Sequence, residues 1–123
     1  MNRKSKYEWL DEYCLDLPGA AKDYKQEWDA VLYTVGGKIF ALCGGDKNGE
    51  SIITLMLDPA NGDLMRQQNK GIVPGYYMNK EHWNSLYLEG GVPDDVVRAM
   101  INESHQLVFQ SLSKKTRNAI MGI

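Results

Sequence analysis

The chain lacks the roughly 20 consecutive apolar residues that a membrane-spanning helix needs, so no membrane partner is expected. Its start, MNRKSKYEWLDEY, is basic and then amphipathic, without the apolar core of an export signal. Cysteine is scarce. Cys14 and Cys43 stand far apart with no CxxC spacing, and they read as small buried hydrophobes in a reducing cytosol. Histidine is equally scarce. His82 and His105 belong to no HExxH or HxH pattern, so no zinc centre is expected. No Walker loop, GxGxxG or GxSxG occurs, which removes the common phosphate cradles and the hydrolase elbow and leaves no cofactor expected. No nucleophile, base and orienting group stand together, so catalysis is not expected. An excess of base is missing too. Fourteen basic against sixteen acidic side chains leave a net charge of -2 and a pI near 5.6. A wholly basic, nucleic-acid-coating surface is thereby excluded, while a local basic patch is not.

What is present suits one domain spanning 1–123, with 43% hydrophobic residues and no repeat or linker-like stretch. Ser5 and Glu8 form a capping-box pattern. Leu10, Tyr13, Cys14 and Leu17 follow at helical spacing, predicting a helix from about Ser5 to Leu17 that ends at Pro18-Gly19. Glu8, Glu12 and Asp16 lie on its other face, as a solvated stripe or as oxygen ligands for a hard cation. Trp28 to Val35, Gly36-Gly37 and KIFALC read as a hairpin with a glycine turn. Gly44 to Glu50 reads as a second turn, with both glycine pairs supplying positive φ, and SIITLML as a third strand. Asp58-Pro59 reads as an N-cap and first helical residue of a helix to about Gln68. YYMN and HWNSLYLE read as two further strands. Pro93-Asp94-Asp95 then opens a helix with an apolar stripe of Val96, Val97, Met100, Ile101, Ser104, Leu107, Val108, Ser111 and Leu112. His105 falls at the edge of that stripe, as a packing residue. Lys114, Lys115 and Arg117 are expected to complement its negative end or to meet phosphates. The expected order is α-β-β-β-α-β-β-α: an α+β fold with a single antiparallel sheet of about five strands covered by helices.

The stretch GIVPGYYMNKEHWNSLYLEGG concentrates aromatic and polar side chains. Alternation in HWNSLYLE sends Leu86 and Leu88 under the helices, and Trp83 and Tyr87 to the opposite, more open face. An exposed Tyr-Asn-Lys-His-Trp cluster suits stacking on bases, phosphate contact or a protein or small-ligand partner. The other reading makes Trp83 and Tyr76 core and leaves the polar residues to cap turns. His82, beside Lys80, Glu81 and Asn84, has a structural or binding role or that of a general base.

Taken in order, YCLDLPGA, VGGKIFAL, LDPANGDLMRQQ, PGYYMNKEHWNSLYLEGGVPDDVV and SLSKK resemble the MmcQ/YjbR family of small bacterial proteins, over nearly the whole chain. The resemblance implies a CyaY/frataxin-like fold and a non-catalytic, DNA-binding role through a double wing of β-hairpins. The wings would be the Gly36-Gly37 or Gly44–Glu50 hairpin and the Tyr76–Leu88 hairpin. The family motif falls on Pro74, Gly75, Tyr76, Tyr77, Met78, Asn79, Lys80, His82, Trp83 and Asn84, with Lys38, Leu112, Lys114 and Lys115. Ser113 replaces a common proline, and His105 a common aromatic. The binding residues expected on these grounds are Lys38, Tyr76, Tyr77, Asn79, Lys80, His82, Trp83, Asn84, Lys114, Lys115 and Arg117. DNA is the first expected partner and a protein or small ligand the alternative. By analogy of fold, a metal on the acidic first helix is a third reading.

Overall fold

The computed structural model describes residues 9–75 and 79–123. The capping-box pair Ser5 and Glu8, and Tyr76, Tyr77 and Met78, lie outside the described residues. Six strands form one antiparallel sheet in the order β1-β2-β3-β4-β6-β5. They are β1 (Ala20–Lys25), β2 (Ala30–Val35), β3 (Lys38–Gly45), β4 (Ser51–Met56), β5 (Ile72–Pro74) and β6 (Trp83–Tyr87). The helices are α1 (Leu10–Leu15), α2 (Pro59–Gln68), α3 (Asp94–Gln110) and α4 (Lys114–Met121). No helix among the described residues is long and apolar enough to cross a membrane.

The α+β class and the antiparallel sheet are as expected, but the sheet has one strand more and the chain one helix more. β1, AAKDYK, is an edge strand with a largely exposed burial pattern, and so lacks the apolar alternation by which strands are read. Its outward edge is blunted locally: the Asp23 carboxylate accepts the Tyr24 N–H at 2.8 Å. Trp28 belongs to a 3₁₀ turn (Gln26–Trp28) ahead of β2. The second turn is also shorter than expected. Gly44 and Gly45 remain in β3, paired with Ile52 and Ser51, and neither takes positive φ. Gly36 and Gly37 do, at 58° and 81°, as a tight hairpin turn requires.

Register places Tyr33, Ala41, Ile53, Leu55, Leu86 and Ile72 on one face. They form the main core with Val97, Met100, Ile101 and Val108 of α3. Burying each of those α3 side chains contributes about 1.5–3 kcal/mol. Ser104, also on the buried stripe, donates its hydroxyl to the Phe40 carbonyl oxygen at 2.5 Å and accepts the Met56 N–H at 2.8 Å. His105 is buried rather than at a boundary. Its ring meets Phe40 edge-on at 5.1 Å and stacks on Phe109, while Nε2 bonds the Pro18 carbonyl oxygen at 2.8 Å.

Asp58 does not cap α2 with its side chain. Glu103 of α3 serves that end instead, accepting the Asp58 N–H at 2.9 Å and the Asn61 amide at 2.6 Å. A carboxylate on the positive end of a helix joins two elements and favours the dipole at once.

Candidate functional site

β3 begins at Lys38, β4 runs antiparallel to it and ends at Met56, and β6 begins at Trp83 opposite Met56. The Lys38 turn and the segment leading to Trp83 therefore share one end of the sheet. Two strand spacings, about 10 Å, separate β3 from β6.

The first group of expected residues gathers where α3 passes into α4. Lys38 Nζ lies 3.5 Å from Ser111 Oγ. Gly36 packs against Leu112, whose Cδ1 would stand 2.7 Å from a Cβ at that position. Ser111 closes α3, and Ser113 caps the next helix: its Oγ accepts the Thr116 N–H at 3.2 Å. Lys114 and Lys115 thus occupy the first turn of α4, not the last turn of α3. The break corrects the expectation that they complement a negative helix end. At the positive end of a dipole two lysines are unfavourable for the helix itself. Arg117 does take the expected role, donating to the Gln110 carbonyl oxygen at 3.0 Å. No carboxylate among the described residues pairs with Lys38, Lys114, Lys115 or Arg117, and Ser104 to Ile123 contains no Asp or Glu.

The second group is knit to itself. Asn79 Oδ1 accepts the Glu81 N–H at 2.8 Å, and its carbonyl oxygen accepts the Trp83 N–H at 2.9 Å. Lys80 Nζ donates to the Gly75 carbonyl oxygen at 2.8 Å, and Gly75 N–H to the Trp83 carbonyl oxygen at 2.7 Å. Asn84 is fully buried. Its side-chain oxygen accepts from Arg66 of α2 and its amide donates to the His82 carbonyl oxygen at 3.2 Å. Arg66 is held in turn by Asp63.

Trp83 is 7% exposed, which corrects the expectation of a ring on an open face. Gly75 meets the Trp83 backbone, where a Cβ would stand 2.7 Å from the Trp83 carbonyl oxygen. His82 keeps a side chain 45% exposed, with Nδ1 3.9 Å from a Glu81 oxygen. Tyr76 and Tyr77 lie outside the described residues. The expected first arm YYMN lies, but for Asn79, outside the described residues; among the described residues Ile72–Pro74 pairs with β6.

Ionisable groups elsewhere are committed to structure. Burial pushes the Cys43 thiol up to about 12 and raises that of Cys14 further. Lys22 and then Tyr33 hold Asp11 below the ordinary carboxylate range. On the acidic helix face Glu12 and Asp16 are exposed, and Glu8 lies outside the described residues. No three His, Cys, Asp or Glu among the described residues form a group able to hold a metal ion.

Arg66, Gly75 and Glu103 escaped the sequence reading as partners, since each acts on residues distant in sequence or through its backbone. A different hollow was missed altogether. It lies at the opposite end of the sheet, between the 3₁₀ turn and the end of β3.

Comparison with known proteins places this geometry. A family model described as YjbR matches residues 15–107. The chain is similar to the uncharacterised protein YbdF of Escherichia coli O157:H7, at 32% identity over 98% of each chain. It is similar to the uncharacterised protein YjbR of Escherichia coli K12, at 29% identity over 91% of this chain and 94% of the relative. Among solved structures, protein DR2400 of Deinococcus radiodurans, with the domain DUF419, superposes with a TM-score of 0.83 at 25% identity. That match covers 95% of this chain and 88% of the other. With the family model covering most of its length, the chain belongs to the YjbR family.

Proposed function

We propose that the protein is a non-catalytic DNA-binding protein that meets the phosphate backbone with the α3–α4 end of its fold. One observation carries the reading. Lys114 and Lys115 stand in the first turn of α4, and Lys38 reaches Ser111 at the end of α3, all three without carboxylate partners among the described residues. Helix stability does not account for cations at a positive helix end, whereas a phosphate is attracted by both charges and dipole. The protruding Gly36-Gly37 turn, next to Lys38, serves as one wing. The loop Asn79–His82 at the same end of the sheet serves as the other, with His82 as its exposed donor. Trp83 and Asn84 then act as supports of that loop, not as contacts.

The overall charge of -2 makes the contact local and few-footed. The three lysines, Lys38, Lys114 and Lys115, give a slope of log affinity against log salt of about -3 on duplex DNA. Cys14, buried, and Cys43, partly buried, are both free, which fits a reducing cytosol. The test is fluorescence anisotropy with single- and double-stranded oligonucleotides at two salt concentrations. Binding that weakens with salt, and weakens further in Lys114→Ala/Lys115→Ala, is the expected result. Absence of binding at low salt, or binding indifferent to both salt and the double substitution, ends the proposal.

A further inference from the structure

A hollow of about 440 Å³ opens at the sheet end remote from the lysines. Among the described residues it is lined by Glu27, Trp28, Ala30, Leu42, Gly44 and Gly45. A second hollow of about 420 Å³ shares Gly44 and Gly45 and adds Asp29, Ser51 and Leu88 among its walls. The volume of the first falls within the range of small-molecule sites.

Gly44 and Gly45 are the unusual feature. The other glycines of the described chain have local reasons. Gly36, Gly37, Gly49 and Gly91 take positive φ, while Gly71 and Gly75 face backbone atoms 2.9 and 2.7 Å from a would-be Cβ. Gly44 and Gly45 have neither reason among the described residues. Their φ is not left-handed. A Cβ would meet Ala30 Cβ at 3.4 Å from position 44, or Gly49 Cα at 3.5 Å from position 45, both ordinary contacts. Glycine inside a strand costs about 0.5–1 kcal/mol relative to alanine, and it commonly marks close approach by a ligand. Gly44 lies on the Leu42 face of the sheet, so the side chain missing there is one that would fill the hollow, while Gly45 lends it backbone only.

The walls name the ligand's chemistry. Leu42 and Ala30 form an apolar floor. Trp28, 51% exposed, offers an indole plane at the rim, with the Lys25 ammonium 4.9 Å from the ring centroid. The charged side chains among the described lining residues of both hollows are acids, Glu27 and Asp29. Asp29 accepts the Tyr24 hydroxyl at 2.6 Å, whereas Glu27 has no ion-pair partner among the described residues. An apolar slot with an aromatic rim and a carboxylate without an ion-pair partner among the described residues suits a flat ring bearing a positive charge. We propose that this hollow is a binding site for a small organic cation with a planar ring, seated on Gly44 and Gly45 and paired with Glu27.

The test titrates the ¹⁵N-labelled full chain with tryptamine and, separately, with indole-3-acetate, which keeps the ring and reverses the charge. Saturable shifts are expected at the Gly44 and Gly45 amides and the Trp28 indole N–H with tryptamine, at an affinity about tenfold above that for indole-3-acetate. Gly44→Val and Glu27→Gln are each expected to weaken tryptamine about fivefold. Gly44→Ala is expected to keep or raise the melting temperature while also weakening the ligand. If Gly44→Val disturbs the spectrum of the free protein, Gly44→Ala and Glu27→Gln decide. Shifts that map elsewhere or do not saturate, equal binding of the two indoles, or undiminished affinity in Gly44→Ala and Glu27→Gln overturn the proposal.

Discussion

Lys80 spends its ammonium on the Gly75 carbonyl oxygen, 2.8 Å away across the loop that leads into β6. A lysine in a binding motif is easily taken for a phosphate contact, but this one closes its own loop. Lys80→Met is therefore expected to lower stability by about 1 kcal/mol, read as a lower urea midpoint at unchanged m-value. The salt slope of DNA binding should stay as in the parent protein. A slope reduced by about 1 would instead place Lys80 on a phosphate.

The Ser104 hydroxyl spans the gap between two strands. It donates to Phe40 and accepts from Met56, on adjacent β3 and β4. Ser104→Ala leaves a buried carbonyl oxygen without this donor and an N–H without this acceptor. The expected loss is about 1–3 kcal/mol, with faster hydrogen exchange at the Met56 amide. An unchanged exchange rate there would mean that another acceptor takes over the Met56 N–H.

The local signals were legible in the sequence. Gly36-Gly37, the proline start of α2 and the α3 stripe each declare their structure within a few residues. β1 was not legible, because an exposed edge strand carries charges where a central one carries apolar residues. The glycines of β3 misled for a related reason: a glycine pair looks like a turn until its partners Ile52 and Ser51 are known. Alternation put Trp83 and Leu86 on opposite faces, as register does. It could not reveal that the tryptophan's own face is covered as well, leaving Trp83 7% exposed. The same limit hid Arg66, which reaches Asn84 only once α2 has folded back on the sheet. Of the candidate site, the cations near the α3–α4 break were legible as a cluster, but the break was not, since the stretch read as one last helix. Ser113, which stands where a proline is common, proved to be the cap of a separate helix.

Asn84 is a fully buried amide joined to Arg66 and to the His82 carbonyl oxygen. Asn84→Leu is expected to cost about 1–2 kcal/mol, since it takes from the part-buried Arg66 guanidinium one of its two acceptors, while the His82 carbonyl oxygen keeps the Leu57 N–H. Arg66→Ala in the Asn84→Leu background should cost less than it does alone, because the two act through one bond. A double-mutant cycle in urea measures the difference, and strict additivity would show that the two side chains stabilise the fold independently.

Acid should weaken the fold through two carboxylates with separate partners. Asp46 is held below the ordinary range by the Tyr87 hydroxyl, 2.7 Å away, and then by the N–H groups of Glu50 and Asn48. Asp11 is held down by Lys22 at 2.7 Å and then by the Tyr33 hydroxyl at 2.6 Å. A depressed folded pKa means that the unfolded chain takes up protons first as pH falls. The stabilisation is therefore complete above the unfolded value of about 3.9, and is lost as pH drops through the folded value. Asp46→Asn is expected to lower the urea midpoint at pH 7 and to flatten its decline between about pH 5 and pH 2. Tyr87→Phe should do the same to a smaller degree, because the two backbone donors remain. Asp11→Asn should add to Asp46→Asn, since the two carboxylates share no partner. A double variant whose stability still falls as steeply with acid as that of the parent would assign the pH dependence to other carboxylates.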